Sequence, residues 1–474
     1  MKISLQQNLL DGLKSNTWIF ILSIVLIIPV TMVISSFGGD LRAVIAIVGF
    51  PVMLLCLFNF RIIYSINILL LFVSFFAFRY SWAVLFVPVL VVSFIINYKN
   101  IDLKDFSNPL IFPFLFYLFL CIPSLIYTDA LGESLYEMFN LVAFAIVILL
   151  TVVSIIRVKE IKIYIAVFLV GALTNGIYLI LEGIVTQQRA FGFSGVMYVD
   201  YAGIAFIISL ILFLLTNNFT KVVFGILVAT FSAVALFNQT RGVWLVMIIT
   251  ASLLIIYLII KAQYFQISKK FLTTILIFGF LIFGVGVLTI QSFNPNVFER
   301  SEEFTKTNKE MFTQEGQATS SLVSRFLIWH TAGNAFWENP WIGVGMYAFP
   351  YVSKKYNELP DFLFKLYVER NSPHITYLAV LAETGMLGFV GFLIFILYTI
   401  KTSFTNFKLA KTKKEKMIAL VLTWTIVYIT ISMFVTDAWL WQRGIISWGI
   451  FLGMNLAFRK LLLLDIPERN IDKV

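Results

Sequence analysis

The chain has 474 residues, of which 60% are hydrophobic and 13% charged, with a net charge of +10. Apolar runs of about 17 to 25 residues recur along most of it, the length a helix needs to cross a bilayer, which excludes an ordinary soluble domain. The runs are continuous and lack the alternation of a membrane barrel, so the expected fold is all-α: a polytopic membrane helical bundle in which each helix satisfies its own backbone groups.

In chain order the spans are expected at 17–36, 41–58, 62–78, 81–97, 109–127, 137–156, 161–181, 198–215, 222–238, 242–260, 271–290, 374–400, 417–436 and 443–459, about fourteen in all. The first run, Trp18 to Ser36, follows Lys2 and Lys14 and has no small-residue cleavage pattern, so it reads as a helix and not as a removed signal. Among spans 2 to 4, two short helices can equally be one re-entrant element. Arg61, Lys99, Arg157, Lys221, Lys261, Lys269, Lys270 and the lysines between 401 and 416 fall in alternate loops. The positive-inside rule then makes both termini cytoplasmic and the 291–373 segment extracytoplasmic. The same distribution turns the positive charge into a topology signal and away from nucleic acid.

The expected organisation is a transmembrane bundle over 1–290 with spans 1–11, an extracytoplasmic loop with amphipathic helices over 291–373, and spans 12–14 with a cytoplasmic C-terminus over 374–474. Between Ser320 and Glu338, Leu322, Phe326, Trp329 and Phe336 recur at helical spacing, predicting an amphipathic helix on the membrane face of the bundle. A second such helix is predicted from Phe362 to Val368. Cys56 and Cys121 lie within apolar runs and read as small core residues.

One of only two histidines, His374, stands at the entrance of span 12. Ser372 fits an N-cap and Pro373 a first helical position, which puts His374 in the first turn. There the helix dipole and nearby arginines favour the neutral imidazole that a general base needs; the alternative is an interfacial histidine that caps a helix. Arg241 opens span 10, where a guanidinium beside exposed backbone N–H groups makes a phosphate site, or else an arginine that snorkels to the interface. Arg325 and Arg189 map to the same side, and two or three guanidiniums can neutralise a diphosphate without a metal. His330, in the predicted amphipathic helix, reads as structural. Glu383 is an acid within a span, but nine residues from His374 it lies half a turn out of phase and about 13 Å deeper, so it reads as a structural partner. Asp200 and Asp437, at outer span edges, are placed to orient the arginines or a sugar. Gly343-Val344-Gly345 reads as a turn. There is no Asp-x-Asp pair, no Walker A loop and no His-Glu-x-x-His, so neither metal nor cofactor is expected.

Several segments in order carry a resemblance: Arg189-Ala190-Phe191-Gly192, Thr240-Arg241-Gly242-Val243-Trp244, Arg325 with Trp329, Asn339-Pro340-Trp341-Ile342-Gly343-Val344-Gly345, Pro373-His374-Ile375-Thr376-Tyr377-Leu378, and Leu381-Ala382-Glu383-Thr384-Gly385-Met386-Leu387-Gly388. Together, over about 185–390, they resemble the O-antigen ligase and polymerase superfamily, integral-membrane glycosyltransferases of the GT-C type. One departure is Ile375, where the family often has Asn. The resemblance implies a bacterial inner-membrane enzyme with an extracytoplasmic active site, an undecaprenyl-diphosphate-linked glycan as donor and a glycan as acceptor. It implies that Arg241 and Arg325 hold the diphosphate with help from Arg189 and that His374 activates the acceptor hydroxyl; Tyr377, Glu383 and Asp200 are expected as supporting residues. A chain-length regulator protein is a further partner it implies. The span count and length are more similar to polymerases than to the shorter ligases, which pass the glycan to lipid A core or to protein. A lipid-linked oligosaccharide flippase is the alternative from another class, and it predicts charge lining a mid-membrane cavity.

Overall fold

The computed structural model describes residues 108–186, 189–192, 198–293, 321–437 and 442–464. Spans 1 to 4 and Cys56 lie outside these residues. Every regular element among the described residues is helical. The main helices are α1 (Ile111–Ile126), α2 (Leu131–Ser154), α3 (Val158–Thr186), α4 (Tyr198–Leu215), α5 (Asn218–Asn238), α6 (Arg241–Ile260), α7 (Lys269–Phe293), α8 (Ser321–Glu338), α9 (Thr376–Leu409), α10 (Lys413–Ser432) and α11 (Gln442–Leu463). A helix lies at each span position expected from 109 onward. Seven, α2, α3, α5, α6, α9, α10 and most of α11, are long and apolar enough to cross a membrane, while α1 and α4 are shorter apolar helices.

Because lipid is as apolar as a leucine side chain, helices in a bilayer associate through packing and polar contacts more than through burial. Both are present. Rings of Phe114, Phe144, Phe395 and Trp448 interlock α1, α2, α9 and α11, with centroids 4.9 Å apart for Phe144 and Trp448 and 5.4 Å for Phe114 and Phe395. Asn406 of α9 donates to the Asn455 side chain of α11 at 2.8 Å, and Asn455 donates back to Ser403 at 2.7 Å. α10 starts on a capping box: Thr412 accepts from the Glu415 backbone at 3.2 Å while the Glu415 carboxylate accepts from the Thr412 backbone at 3.0 Å. Such a cap stabilises a helix by about 1 kcal/mol.

The most consequential departure from a simple span is in α9. Its 34 residues would measure roughly 51 Å if straight, against about 30 Å of hydrocarbon. Gly385 breaks it, with φ 63° and ψ −167°, a region open essentially to glycine alone. The segment 340–345 fills the break. Val344 and Gly345 donate to the carbonyls of Ala382 and Glu383 at 3.1 and 2.9 Å, while Met386 and Leu387 donate to those of Pro340 and Trp341 at 2.8 and 3.1 Å. A Cβ on Gly343 would stand 2.4 Å from the Glu383 backbone, and one on Gly385 2.4 Å from that of Trp341. The Asn339–Gly345 and Leu381–Gly388 segments are thus two halves of one lock, and the expected turn at 343–345 is one of them.

α8 forms where the pattern placed it, but its buried face is not the expected stripe. Leu327, Ile328, Ala332 and Ala335 are buried, together with Val344, Phe349, Val352, Phe364 and Val368, in a small core of their own. Phe326 is 60% exposed. The small side chains Ala332 and Ala335 let the helix approach the 344–368 segment, and close packing there decides the face over side-chain size. The predicted helix at 362–368 is a short α-turn, Asp361–Leu363, continued as a π-helix, Phe364–Val368.

Candidate functional site

The site is built at the end of the bundle where α5, α9 and α10 meet the start of α6. α5 ends at Asn238, Gln239 takes a left-handed conformation with φ 58°, and Arg241 is the first residue of α6. A two-residue turn therefore delivers the Arg241 guanidinium to a helix N-terminus, as the sequence predicts. The strand of chain at 189–192 straps this turn. Arg189 donates to the Asn238 carbonyl at 2.9 Å and to the Thr240 hydroxyl at 3.0 Å, Asn238 donates to the Ala190 carbonyl at 2.7 Å, and Arg189 lies over the Phe191 ring. Glu182 accepts from the backbone of Phe191 and Gly192 at 3.1 and 2.8 Å. Arg189 thereby braces the turn that carries Arg241.

The turn leads directly to the α10–α11 connection. A Cβ on Gly242 would stand 3.3 Å from Cβ of Val435, two residues before Asp437. That connection is fixed to the start of α9: the Thr376 backbone donates to the carbonyls of Met433 and Thr436 at 3.0 and 3.2 Å, and its hydroxyl to Thr436 at 2.8 Å. Tyr377 stacks on Phe434 at 4.3 Å and donates its phenol to the Thr430 carbonyl at 3.1 Å. Tyr377 thereby seats α9 on α10.

His374 requires a correction. α9 begins at Thr376 with Ile375 extended at the cap position and no side-chain cap, so Ser372 is not an N-cap, Pro373 does not open the helix and His374 is not in its first turn. The reason is that the Ser372 hydroxyl bonds the Asp437 carboxylate and Thr376 gives its backbone N–H to the α10–α11 connection. His374 sits before the helix in a left-handed conformation, φ 56°, which non-glycine residues adopt seldom and mostly at constrained sites. Its neighbour is a carboxylate: Nδ1 lies 3.8 Å from Oδ1 of Asp437, a charge-pair distance beyond a direct hydrogen bond. A carboxylate on the Nδ1 side of an imidazole stabilises the imidazolium that forms when the ring takes a proton.

Asp437 is the hub. It is 6% exposed. Burial alone would raise its carboxyl, but the His374 imidazole and the Ser372 hydroxyl outweigh that and hold it below its ordinary value. Arg325, half-buried on α8, lies within its electrostatic reach; burial pulls the guanidinium below its ordinary value, and Asp437 opposes this. α8 is tied to the same place by Trp329, whose indole N–H donates to the Pro373 carbonyl at 2.8 Å. Asp200, in the first turn of α4, is buried within reach of the Asp437 charge, and its Oδ1 has no hydrogen-bond partner among the described residues.

Arg325 and His374, far apart in sequence, are thus brought to Asp437, and the turn that carries Arg241 packs on the same connection through Gly242 and Val435. Glu383 is in the fold's interior and accepts from the Tyr347 backbone at 2.9 Å, the structural partnership expected of it. His330 is exposed, 3.9 Å from Glu358, and not part of the site. The central role of Asp437 was not legible in the sequence, where it stood only as an edge acid. Its signal was a carboxylate flanked by apolar spans.

Residues 226–393 match the family described as O-Antigen ligase. Over that stretch the chain is similar to the O-antigen ligase family. Among curated proteins none matches it. The match runs from α5 through the break in α9, so it holds Arg241, Arg325 and His374, while Arg189 precedes it and Asp437 follows it.

One more feature adjoins the site. A cavity of about 570 Å³ lies among α4, α5, α6 and α7, lined by Phe206, Phe213, Ala229, Trp244, Met247 and Ile275 among others, nearly all apolar. Trp244 is one turn along α6 from Arg241.

Proposed function

We propose that the chain is a membrane glycosyltransferase that joins undecaprenyl-diphosphate-linked oligosaccharide units on the extracytoplasmic face, a polysaccharide polymerase. The observation that carries this reading is the pairing of His374 with buried Asp437 beside Arg325 and the Arg241 helix N-terminus. A base–orienter pair next to two guanidiniums suits a transfer in which a hydroxyl loses a proton and a diphosphate leaves. In that step Nε2 of His374 takes the proton as the acceptor oxygen forms its bond to the anomeric carbon from the face opposite the leaving group. The anomeric carbon–oxygen bond breaks, its electron pair goes to the diphosphate, and the configuration inverts. Arg241 and Arg325 meet the charge that develops on the diphosphate, and Asp437 meets that on the imidazolium. The apolar cavity beginning at Trp244 suits the start of the polyprenyl chain.

The family description favours a second reading, a ligase, which has the same chemistry and a different acceptor. Purified protein given a defined undecaprenyl-diphosphate oligosaccharide tests both. Glycan growth with the lipid-linked unit alone supports the polymerase, and transfer only after lipid A core is added makes it a ligase. Equal growth with wild type, His374→Ala, Arg241→Ala and Arg325→Ala would overturn the site. Activity is expected to survive EDTA; loss with EDTA and rescue by magnesium would refute a metal-free step.

A further inference from the structure

Besides His374, a second large side chain near Asp437 occupies left-handed backbone: Tyr347, with φ 54°. For a bulky residue this conformation is an outlier that persists only when its surroundings impose it. Here they do. Glu383, 5% exposed, accepts from the Tyr347 N–H at 2.9 Å, Ser134 of α2 donates to the preceding Met346 carbonyl at 2.7 Å, and the Gly345 N–H is held by the Glu383 carbonyl at 2.9 Å. Two helices thus fix Tyr347 in a conformation that glycine or asparagine would take more readily.

The titratable side chains around the Tyr347 phenol are all acids. It is half-buried, within electrostatic reach of Glu137, Glu383 and Asp437, with the Tyr351 ring at 6.3 Å. Burial, with Tyr351 and these carboxylates adding to it, pushes the phenol up to about 12, which keeps it a neutral hydrogen-bond donor at working pH. A neutral phenol offers phosphate no positive charge and suits an uncharged polyol, and a tyrosine offers a sugar both an apolar face and a polar tip.

We propose that Tyr347 is an acceptor-binding residue, its ring against a sugar of the incoming glycan and its hydroxyl donating to a sugar oxygen beside the His374–Asp437 pair. This rests on the glycosyl-transfer reading above. The test uses an alkyl glycoside of the repeat unit, which has no diphosphate and serves only as acceptor, with the undecaprenyl-diphosphate oligosaccharide as donor. Tyr347→Phe is expected to raise the KM for the alkyl glycoside about tenfold, the effect of one lost hydrogen bond, and Tyr347→Gly to raise it further. The donor KM should stay within about twofold in both. Tyr347→Gly relieves the backbone and should melt no lower than wild type, which separates this role from a loop lock. Unchanged acceptor KM in both variants, or a parallel rise in donor KM, overturns the proposal while the transfer reading stands. If wild type transfers no glycan to any acceptor, the transfer reading fails and this proposal with it.

Discussion

Replacing Asp437 by asparagine isolates the electrostatics of the site. The change keeps the side chain's shape and an acceptor for the Ser372 hydroxyl but removes the charge 3.8 Å from His374 Nδ1. Two charges at about 4 Å interact by about 4 kcal/mol at the effective dielectric of a protein boundary. The His374 side chain is 40% exposed, so solvent screening takes about half and leaves about 2 kcal/mol. In the proposed step the imidazole gains its charge as it takes the acceptor proton, so this attraction develops in the transition state. It should therefore appear in kcat, as a loss of about 30-fold, with the donor KM unchanged. The assay is initial-rate release of undecaprenyl diphosphate by detergent-purified protein, with the melting temperature as a check on folding. A folded Asp437→Asn protein with kcat within about threefold of wild type would refute the idea that the pair works as a dyad.

Three further outcomes follow from the same geometry. Gly385→Ala forces a Cβ to within 2.4 Å of the Trp341 backbone at a glycine-only conformation; it should destabilise the protein by about 3 kcal/mol or more, seen as a lower melting temperature and lost transfer. Glu383→Ala orphans the buried Tyr347 N–H at about 1–3 kcal/mol, whereas Glu383→Gln retains an acceptor and should melt close to wild type. Thermal unfolding of the two variants distinguishes a hydrogen-bond partner from a group needed for its charge. The third outcome concerns pH. Because the Asp437 carboxyl is held below its ordinary 3.8 in the fold, its contribution to stability is full above that value and lost only as pH falls through the lower folded value. The gap in melting temperature between wild type and Asp437→Asn should therefore narrow as pH falls below about 4. A gap that stays constant down to about pH 2 would contradict this.

By itself the sequence determined the class of fold and the parts of the site that are written locally. Helix positions from 109 onward follow from the length of apolar runs, because a helix in lipid must satisfy its own backbone. Arg241 at a helix N-terminus could be read from the order of residues around a turn, and Glu383 as a structural acid from helical phase. What only the tertiary structure decided depends on contacts between residues far apart in the chain. Ser372 looks like a helix cap until the α10–α11 connection claims it, together with Thr376, which moves the start of α9 past His374. Asp437 becomes the hub because packing of Gly242 on Val435 and of Trp329 on Pro373 brings three distant segments to one carboxylate. Gly343 and Gly385 look like turn and helix glycines, and only their backbone-to-backbone fit shows why α9 breaks there. Local spacing sets which helices form; which of their polar ends meet is settled by packing between helices, and there the chemistry is assembled.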